Sequence, residues 1–171
     1  LADEVGNDVG YKVALILNEA YGDRMSVPPT FKKIVDAGLF GKKMGRGFYI
    51  HKGKEKTLNP EVSEILGTTR RSHLSAEEMV DRFVLVMLNE ACRCLEEKII
   101  ENPAYLDMAM ITGTGFPPFR GGLLRYADSR GIPTIVQRMK EFSERFEERF
   151  KPCSLLEEMA SEGKSFYGPQ A

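Results

Sequence analysis

Few side chains in this sequence are suited to chemistry, and they are scattered along it. His51 and His73 lie in unrelated contexts, and neither has a cysteine, serine or carboxylate at the spacing of a metal site or a catalytic triad. Cys92 and Cys94 are two residues apart on a predicted helix, where they point about 200° apart and cannot share a metal ion or a disulfide. The pattern predicts no metal site and argues against a hydrolase.

The glycine-rich segment 41–47 could be taken for a phosphate-binding loop. It lacks the lysine followed by serine or threonine that closes a P-loop, and it precedes a predicted strand rather than a helix. No Gly-x-Gly-x-x-Gly follows a strand in this chain, so the chain itself is predicted to bind no NAD. We interpret the segment as a turn that enters a hairpin.

The same hairpin is rich in basic side chains. They could attract the phosphates of a nucleotide-like ligand, or they could form a solvated surface, and the sequence leaves both interpretations open. Because Phe48 and Tyr49 point to opposite faces of a strand, at most one ring could stack on a base, which argues against nucleic acid. The basic residues are Lys42, Lys43, Arg46, Lys52, Lys54 and Lys56.

The composition is typical of a globular protein, with 42% hydrophobic and 29% charged residues over 171 positions. A net charge of −1 gives no overall attraction to nucleic acid or anionic membranes. No apolar run approaches the roughly 20 residues of a membrane-spanning helix. Three cysteines, an odd number, favour a reducing compartment. Since the sequence begins at Leu1 in what reads as mid-domain, we expect it to be a piece of a longer protein.

Helix signals predict a mostly α-helical protein with one short β-hairpin. Asn-Pro at 59–60 and 102–103, and Ser75 with Glu78, are typical of helix N-termini. Aromatic and β-branched residues at 48–50 predict a strand, and the hairpin ends near Leu58. The polar segment 67–72 is the predicted boundary. Helices are expected over residues 9–21, 28–38, 60–67, 75–101, 103–110, 123–128 (closed by Gly131) and 133–146, followed by a short helix capped by Ser154 and a tail held by Phe166 and Tyr167.

The segment 113–122, which joins two predicted helices, holds four glycines, which allow turns and close backbone approach, and two prolines, which fix φ. We interpret it as a shaped corner whose two aromatic rings and arginine pack or make contacts. Residues 1–6 and 126–131 share Ala, Asp and Gly at corresponding positions, and each precedes an apolar helix. This echo predicts an internal repeat, with a fuller second copy from Ser75 onward. Asn18 and Asn89, each in Asn-Glu-Ala, are expected to hydrogen-bond between helices.

Several of these segments resemble the C-terminal part of the 3-hydroxyacyl-CoA dehydrogenase region of multifunctional fatty-acid oxidation proteins, the bacterial complex α subunit and the mitochondrial trifunctional protein. The likeness runs nearly end to end, and the string Gly-Phe-Pro-Pro-Phe-x-Gly-Gly at 115–122 is specific to the multifunctional group. The other matching stretches are ADEVGND (2–8), GLFGKK (38–43), GRGFY (45–49), LNEA (88–91), CLEE (94–97) and DMA (107–109).

The resemblance implies a protein in which hydratase/isomerase and NAD-binding Rossmann regions precede two related helical repeats. Residues 1–40 would end the first repeat, 41–72 would form a linker with a short hairpin and helix, and 73–171 would be the second repeat. The catalytic histidine, its acidic partner and the substrate-orienting asparagine would all lie before Leu1. The fragment would thus carry no catalytic residue, bind no NAD and be inactive alone, closing the cleft and packing against the other domains.

The resemblance also implies where acyl-CoA substrate would contact this chain. Thr112 occupies the place of a tyrosine associated with substrate in bacterial members, and Phe116 follows it in the Gly/Pro segment. In place of the Asn-Arg pair that opens the long helix of the first repeat, this chain has Asp81-Arg82, and an ionised carboxylate cannot donate as an amide does. The parent would act in the bacterial cytoplasm or the mitochondrial matrix, with a thiolase subunit as a possible partner.

Two other classes of function remain open from the residues themselves. A standalone helical interaction module would dock another protein through the Gly/Pro loop and the basic hairpin. A CoA- or nucleotide-binding carrier would use the lysines of the hairpin, and its ligand binding would weaken with added salt.

Overall fold

The computed structural model describes residues 1–67 and 74–168, which form nine α-helices and one two-stranded sheet. The backbone divides into two compact units, unit 1 (residues 1–73) and unit 2 (residues 74–171), and each is described here by itself. The mostly helical fold with one short hairpin is confirmed. Most of the predicted boundary segment 67–72 lies outside the described residues.

Unit 1 combines short helices with the hairpin, whose antiparallel register places Tyr49 opposite Leu58 and Lys52 opposite Glu55. The Asn-Pro signal is confirmed, because the Asn59 side chain accepts from the backbone N–H of Glu61 at 3.1 Å. The elements are α1 (Ala2–Val5), α2 (Asn7–Tyr21), α3 (Pro29–Asp36), β1 (Tyr49–Lys52), β2 (Glu55–Leu58) and α4 (Pro60–Leu66), with 3₁₀ turns at Gly22–Met25 and Lys42–Met44.

The apolar core of unit 1 is small. Ile34 and Leu39 are its fully buried aliphatic side chains, whereas the apolar residues along α2 remain exposed within the described chain. Ile16, for example, keeps 64% of its surface exposed. An apolar helix face of this size is normally covered, so unit 1 has an open side. The exposed apolar residues on α2 are Val9, Val13, Leu15, Ile16, Leu17 and Tyr21.

Unit 2 contains five helices around one core. The long helix begins with the predicted capping box, in which Glu78 N–H donates to Ser75 Oγ at 3.1 Å and Ser75 N–H donates to Glu78 at 3.0 Å. The elements are α5 (Ala76–Glu96), α6 (Pro103–Ala109), α7 (Leu123–Arg130), α8 (Ile132–Arg145) and α9 (Ser154–Glu162), with a π-helical turn at Met110–Thr114 and 3₁₀ turns at Pro118–Arg120 and Glu148–Phe150.

Two predicted boundaries in unit 2 are wrong. α5 ends at Glu96 rather than near Glu101, because Lys98 adopts a left-handed backbone and Ile99 N–H folds back onto the carbonyl of Cys94. Ser154 is the first residue of α9 rather than its cap, which is Cys153.

The core of unit 2 lies between α5, α7, α8 and α9. Phe142 packs edge-to-face on Phe150, with ring centroids 5.4 Å apart. Burial of each such side chain contributes about 1.5–3 kcal/mol, so this core is the main source of stability in the unit. Its fully buried apolar side chains include Leu85, Leu88, Cys92, Leu123, Leu124, Ala127, Ile135, Met139, Phe142 and Leu156.

Candidate functional site

A buried aspartate ties the start of unit 1 to its hairpin. Asp3 Oδ1 accepts the backbone N–H of Phe48 at 2.9 Å, and Asp3 Oδ2 accepts that of Tyr49 at 2.9 Å. Asp3 Oδ2 also lies 2.8 Å from Nε2 of His51. Burial raises the pKa of Asp3, but the hydrogen bonds from His51 and the two backbone amides outweigh it and hold this pKa below its ordinary value.

The Asp3–His51 pair was not predicted, because its members lie 48 residues apart. The close approach around Asp3 explains one glycine of the 41–47 turn, since a Cβ at Gly47 would come within 2.3 Å of Asp3 Oδ1. Asn7 adds a further link by donating to the carbonyl of Leu39 at 2.6 Å. The signal that could have pointed to Asp3 was its place in the internal echo.

A second aspartate forms the same arrangement in unit 2. Asp128 Oδ1 accepts the backbone N–H of Phe166 at 2.9 Å, and Asp128 Oδ2 accepts that of Tyr167 at 3.1 Å. The predicted packing of the tail through Phe166 and Tyr167 is thereby confirmed. We call each set a clasp: Asp3 with Phe48 and Tyr49 in unit 1, and Asp128 with Phe166 and Tyr167 in unit 2.

Asp107 joins three parts of unit 2. Its carboxylate accepts from the backbone N–H groups of Leu124 at 2.7 Å and Arg125 at 3.1 Å, and from the hydroxyl of Tyr167 at 2.7 Å. A negative charge at these amides also suits the N-terminus of α7. Gly122 (φ 120°) brings its backbone so close to Asp107 that a Cβ would lie 2.2 Å from the carboxyl carbon. The last glycine of the Gly/Pro segment is therefore required by this contact.

The Gly/Pro segment forms a corner between α6 and α7, as predicted. The π-helical turn precedes Gly115, and the 3₁₀ turn ends at Gly121. Phe119 is 83% exposed, and the guanidinium of Arg120 lies 5.5 Å from its ring centroid and 5.6 Å from that of Tyr126. The segment thus presents one exposed aromatic ring and one cation on a fixed backbone.

The two candidate substrate residues lie in different environments. Thr112 is exposed within the π-helical turn, and its hydroxyl donates to the carbonyl of Met108 at 2.8 Å, which leaves the oxygen able to accept a further hydrogen bond. Phe116 is buried and packs edge-on against Tyr126, with centroids 6.3 Å apart. Their assignment to substrate stays a prediction.

Asp81 is 2% exposed and lies between two arginines. Arg130 Nη1 donates to Asp81 Oδ1 at 2.5 Å, and Arg138 Nε donates to Asp81 Oδ2 at 3.3 Å. The hydrogen bond to Asp81 raises the pKa of Arg130. Since both oxygens of this carboxylate are occupied by cations, Asp81 is suited to holding α5, α7 and α8 together rather than to binding a ligand.

Acidic partners neutralise half of the basic residues in and before the hairpin. Lys42 pairs with Glu4 at 3.0 Å, Lys43 with Asp8 at 2.5 Å and Arg46 with Glu61 at 2.9 Å. These contacts tie the 41–47 turn to α1, α2 and α4. The predicted turn that enters the hairpin is confirmed, and fewer cations remain for a phosphate ligand than the sequence suggests.

The described cysteines are all free thiols. Cys92 and Cys153 hydrogen-bond to each other inside unit 2, and this bond together with burial raises the pKa of Cys92 while the same bond lowers that of Cys153. Within residues 1–67 and 74–168, no group of three His, Cys, Asp or Glu could hold a metal ion. None of the helices in the described ranges is both long and apolar enough to cross a membrane.

The two Asn-Glu-Ala asparagines differ. Asn89 Nδ2 donates to the carbonyl of Lys151 at 2.8 Å, and Asn89 Oδ1 accepts the N–H of Cys153 at 2.9 Å. The expected contact between elements is thus confirmed for Asn89, which holds the approach to α9 against α5. Asn18 instead donates to the carbonyl of Gly22 at the end of its own helix, so the expectation is wrong there.

Comparison with protein families gives one clear match. The model for the 3-hydroxyacyl-CoA dehydrogenase C-terminal domain matches residues 1–51 and 79–166. The fatty acid oxidation complex α subunits of Vibrio vulnificus and Vibrio parahaemolyticus are 44% and 42% identical over 98% of this chain. That of Shewanella loihica is 43% identical over the same share. The chain spans only 24% of the length of each of these relatives.

Solved structures share the fold. 3-hydroxybutyryl-CoA dehydrogenase from Escherichia coli K12 aligns over 94% of this chain and 50% of its own, with a TM-score of 0.68 at 17% identity. The dehydrogenase part of multifunctional enzyme 1 from C. elegans aligns over 92% of this chain and 37% of its own, with a TM-score of 0.61 at 23% identity. At these identities, the likeness concerns the fold alone.

Proposed function

Because this chain belongs to the family of 3-hydroxyacyl-CoA dehydrogenase C-terminal domains, we propose that it is the helical end of a longer enzyme that oxidises (3S)-3-hydroxyacyl-CoA to 3-oxoacyl-CoA in fatty-acid β-oxidation. In that enzyme NAD⁺ would take up the hydride while a histidine in a preceding domain acts as general base. The part played by this chain is to close the substrate cleft and to pack against the preceding domains.

The observation that carries the proposal is the pair of matching clasps. Asp3 and Asp128 bind the backbone of a Phe-Tyr pair in the same way, each followed three residues later by a glycine with positive φ, Gly6 or Gly131. This supports two copies of one helical repeat, with residues 1–40 ending the first, 41–72 linking them and 73–171 forming the second. The open apolar side of α2 fits a first copy whose earlier helices precede Leu1.

The residues of this chain do not fit NAD. The described strands β1 and β2 pair with each other in a hairpin, and α4 begins after Asn59-Pro60 without the glycine-rich turn that a dinucleotide pyrophosphate requires. The described residues also contain no histidine near a free carboxylate, since both oxygens of Asp3 are used by the clasp and His51. We therefore assign neither cofactor binding nor proton transfer to this fragment.

The proposed contact with acyl-CoA is through the Gly/Pro corner. Thr112 has an exposed hydroxyl oxygen that can accept a hydrogen bond, and Phe116 fixes the backbone beneath it by packing on Tyr126. Asp81 takes no part, because Arg130 and Arg138 occupy it. This second repeat would thus support the substrate site that the first repeat and the Rossmann domain form.

The proposal is tested by assaying NADH-dependent reduction of acetoacetyl-CoA with the 171-residue chain and with the longer protein that contains it. We expect turnover by the longer protein and none by the chain alone. Turnover by the isolated chain would contradict the assignment, as would a longer protein that lacks dehydrogenase activity while remaining folded. If Gly/Pro loop substitutions removed a protein partner without changing activity, the interaction-module alternative would replace it.

A further inference from the structure

The two clasps differ in what covers the tyrosine ring. In unit 2 the guanidinium of Arg125 lies 3.7 Å from the ring centroid of Tyr167, and the Tyr167 hydroxyl donates to the buried carboxylate of Asp107. In unit 1 Tyr49 is 38% exposed, and its ring contacts Lys56 and His51. Among residues 1–67 and 74–168, the hydroxyl of Tyr49 has no hydrogen-bond partner.

The sequence positions explain this difference. Asp107 lies 21 positions before Asp128 on a separate short helix, α6. The position 21 residues before Asp3 falls before Leu1. Arg125, which covers Tyr167, likewise corresponds to the position directly before Leu1. Both partners of Tyr49 would thus belong to the part of a longer protein that precedes this chain.

We propose that helices from that preceding part cover the open side of unit 1, and that an aspartate or glutamate on the short helix that corresponds to α6 accepts the hydroxyl hydrogen of Tyr49. By analogy with Asp107, this carboxylate lies about 21 positions before Asp3 and also accepts the backbone N–H groups at the start of the helix to which α1 belongs. The inference rests on the proposed repeat architecture, and it adds the partner side chain and its register.

The surface of α2 supports a helix as the occupant. In unit 2 the long helix α5 packs against α8, and Arg138 of α8, which corresponds to Val13, donates to Asp81 on α5. On α2 the exposed apolar residues Val9, Val13 and Ile16 recur at helical spacing and form a stripe that a second amphipathic helix would bury. The carboxylate, on the separate helix that corresponds to α6, would be desolvated in the same way, and the Tyr49 hydroxyl would then donate to it beside the backbone N–H groups.

The test compares Tyr49→Phe with the matched variant Tyr167→Phe in two settings, the 171-residue chain and the longer protein. The measurement is peptide-resolved hydrogen exchange of the backbone amides at residues 46–51 and 163–168, which report local opening of each clasp. Because a hydrogen bond to a charged group is strong, its loss should increase the exchange rate of the clasp amides by about tenfold or more. Tyr167→Phe should accelerate exchange at 163–168 in both settings.

Tyr49→Phe should accelerate exchange at 46–51 about tenfold in the longer protein and less than about twofold in the chain alone. The change of the preceding carboxylate to its amide should give the same effect, without further acceleration when combined with Tyr49→Phe. No effect of Tyr49→Phe in the longer protein would overturn the inference, as would equal effects in both settings. The dehydrogenase assay separates this outcome from failure of the proposed function, because activity and the exchange pattern are measured independently on the same protein.

Discussion

Helices α1 and α2 of unit 1 align by position with α7 and α8 of unit 2 but carry different chemistry on one face. Counted from Asp3 and Asp128, the arginines Arg130 and Arg138 of unit 2 correspond to Val5 and Val13 of unit 1. In unit 2 these arginines hold the buried Asp81, whereas in unit 1 the same positions are aliphatic and exposed.

The clasps, in contrast, are the same in both units. In each unit one carboxylate accepts two consecutive backbone N–H groups, which satisfies donors that would otherwise need another acceptor. The residues on the helix face, in contrast, can differ between the units if the residues that pack against them differ as well. In the first repeat that we propose, a carboxylate at the position corresponding to Asp81 would be unpaired, since Val5 and Val13 stand in place of both cations that hold it in unit 2.

The largest expected effect is that of Asp81→Ala, which leaves Arg130 and Arg138 without their shared acceptor. Because both arginines keep some contact with water, we expect the free energy of unfolding of unit 2 to fall by about 3 kcal/mol, at the lower end for a broken buried pair. Urea unfolding followed by circular dichroism measures it. The triple variant Asp81→Asn, Arg130→Val, Arg138→Val should be more stable than Asp81→Ala. If the triple variant lost as much free energy of unfolding as Asp81→Ala, or more, then the aspartate and its two arginines could not be replaced together as one unit, and the interpretation would be wrong.

Asn89→Ala should cost about 2 kcal/mol in the same measurement, because it leaves the Lys151 carbonyl and the Cys153 N–H without partners. Asn18→Ala is the matched control from unit 1. Its hydrogen bond to Gly22 is local and exposed, so the expected cost is below about 0.5 kcal/mol. Similar costs for the two variants would show that the tertiary contact of Asn89 adds nothing.

Asp128→Asn should lower the free energy needed to open the unit 2 clasp by about 1.5 kcal/mol. The amide keeps one acceptor oxygen, but its NH₂ group then faces a backbone N–H donor. Exchange of the Phe166 and Tyr167 amides measures this loss directly. Ser129→Ala, at the next position on α7, is the control and should leave these amides protected.

The smallest effect is a pH dependence confined to unit 1. The pKa of Asp3 is below its ordinary value in the folded state, so its contribution is present above the unfolded pKa of about 3.9 and is lost as pH falls through the folded value. The stability difference between the wild type and Asp3→Asn should therefore shrink below about pH 4. Thermal unfolding between pH 7 and pH 2.5 follows it, and a difference that stays constant through this range would contradict the prediction.

Local signals in the sequence predicted most helix starts. Asn59, Ser75 with Glu78, and Asn102 cap their helices as their types and spacing indicate, because a cap involves groups within three residues of each other. The end of α5 was missed because the turn at Lys98 depends on a left-handed residue other than glycine or asparagine.

The long-range contacts could not be predicted in the same way. The pairing of Asp3 with His51, and of Asp107 with Tyr167, joins residues 48 and 60 positions apart whose types occur in many surface segments as well. Only the internal echo drew attention to Asp3 and Asp128. The candidate substrate residues Thr112 and Phe116 came from family resemblance, and nothing in their own spacing indicates an acyl-CoA contact.

The clasps also bear on the order in which the chain folds. The Asp128 carboxylate meets the Phe166 amide at a sequence separation of 38, and the chain between them contains α8 and α9, so we expect the clasp to close after those helices have formed and docked. Contacts made late leave the folding rate nearly unchanged and slow the reverse reaction. The clasp thus contributes to kinetic stability. Its loss should leave the refolding rate of unit 2 almost unchanged and should increase the unfolding rate.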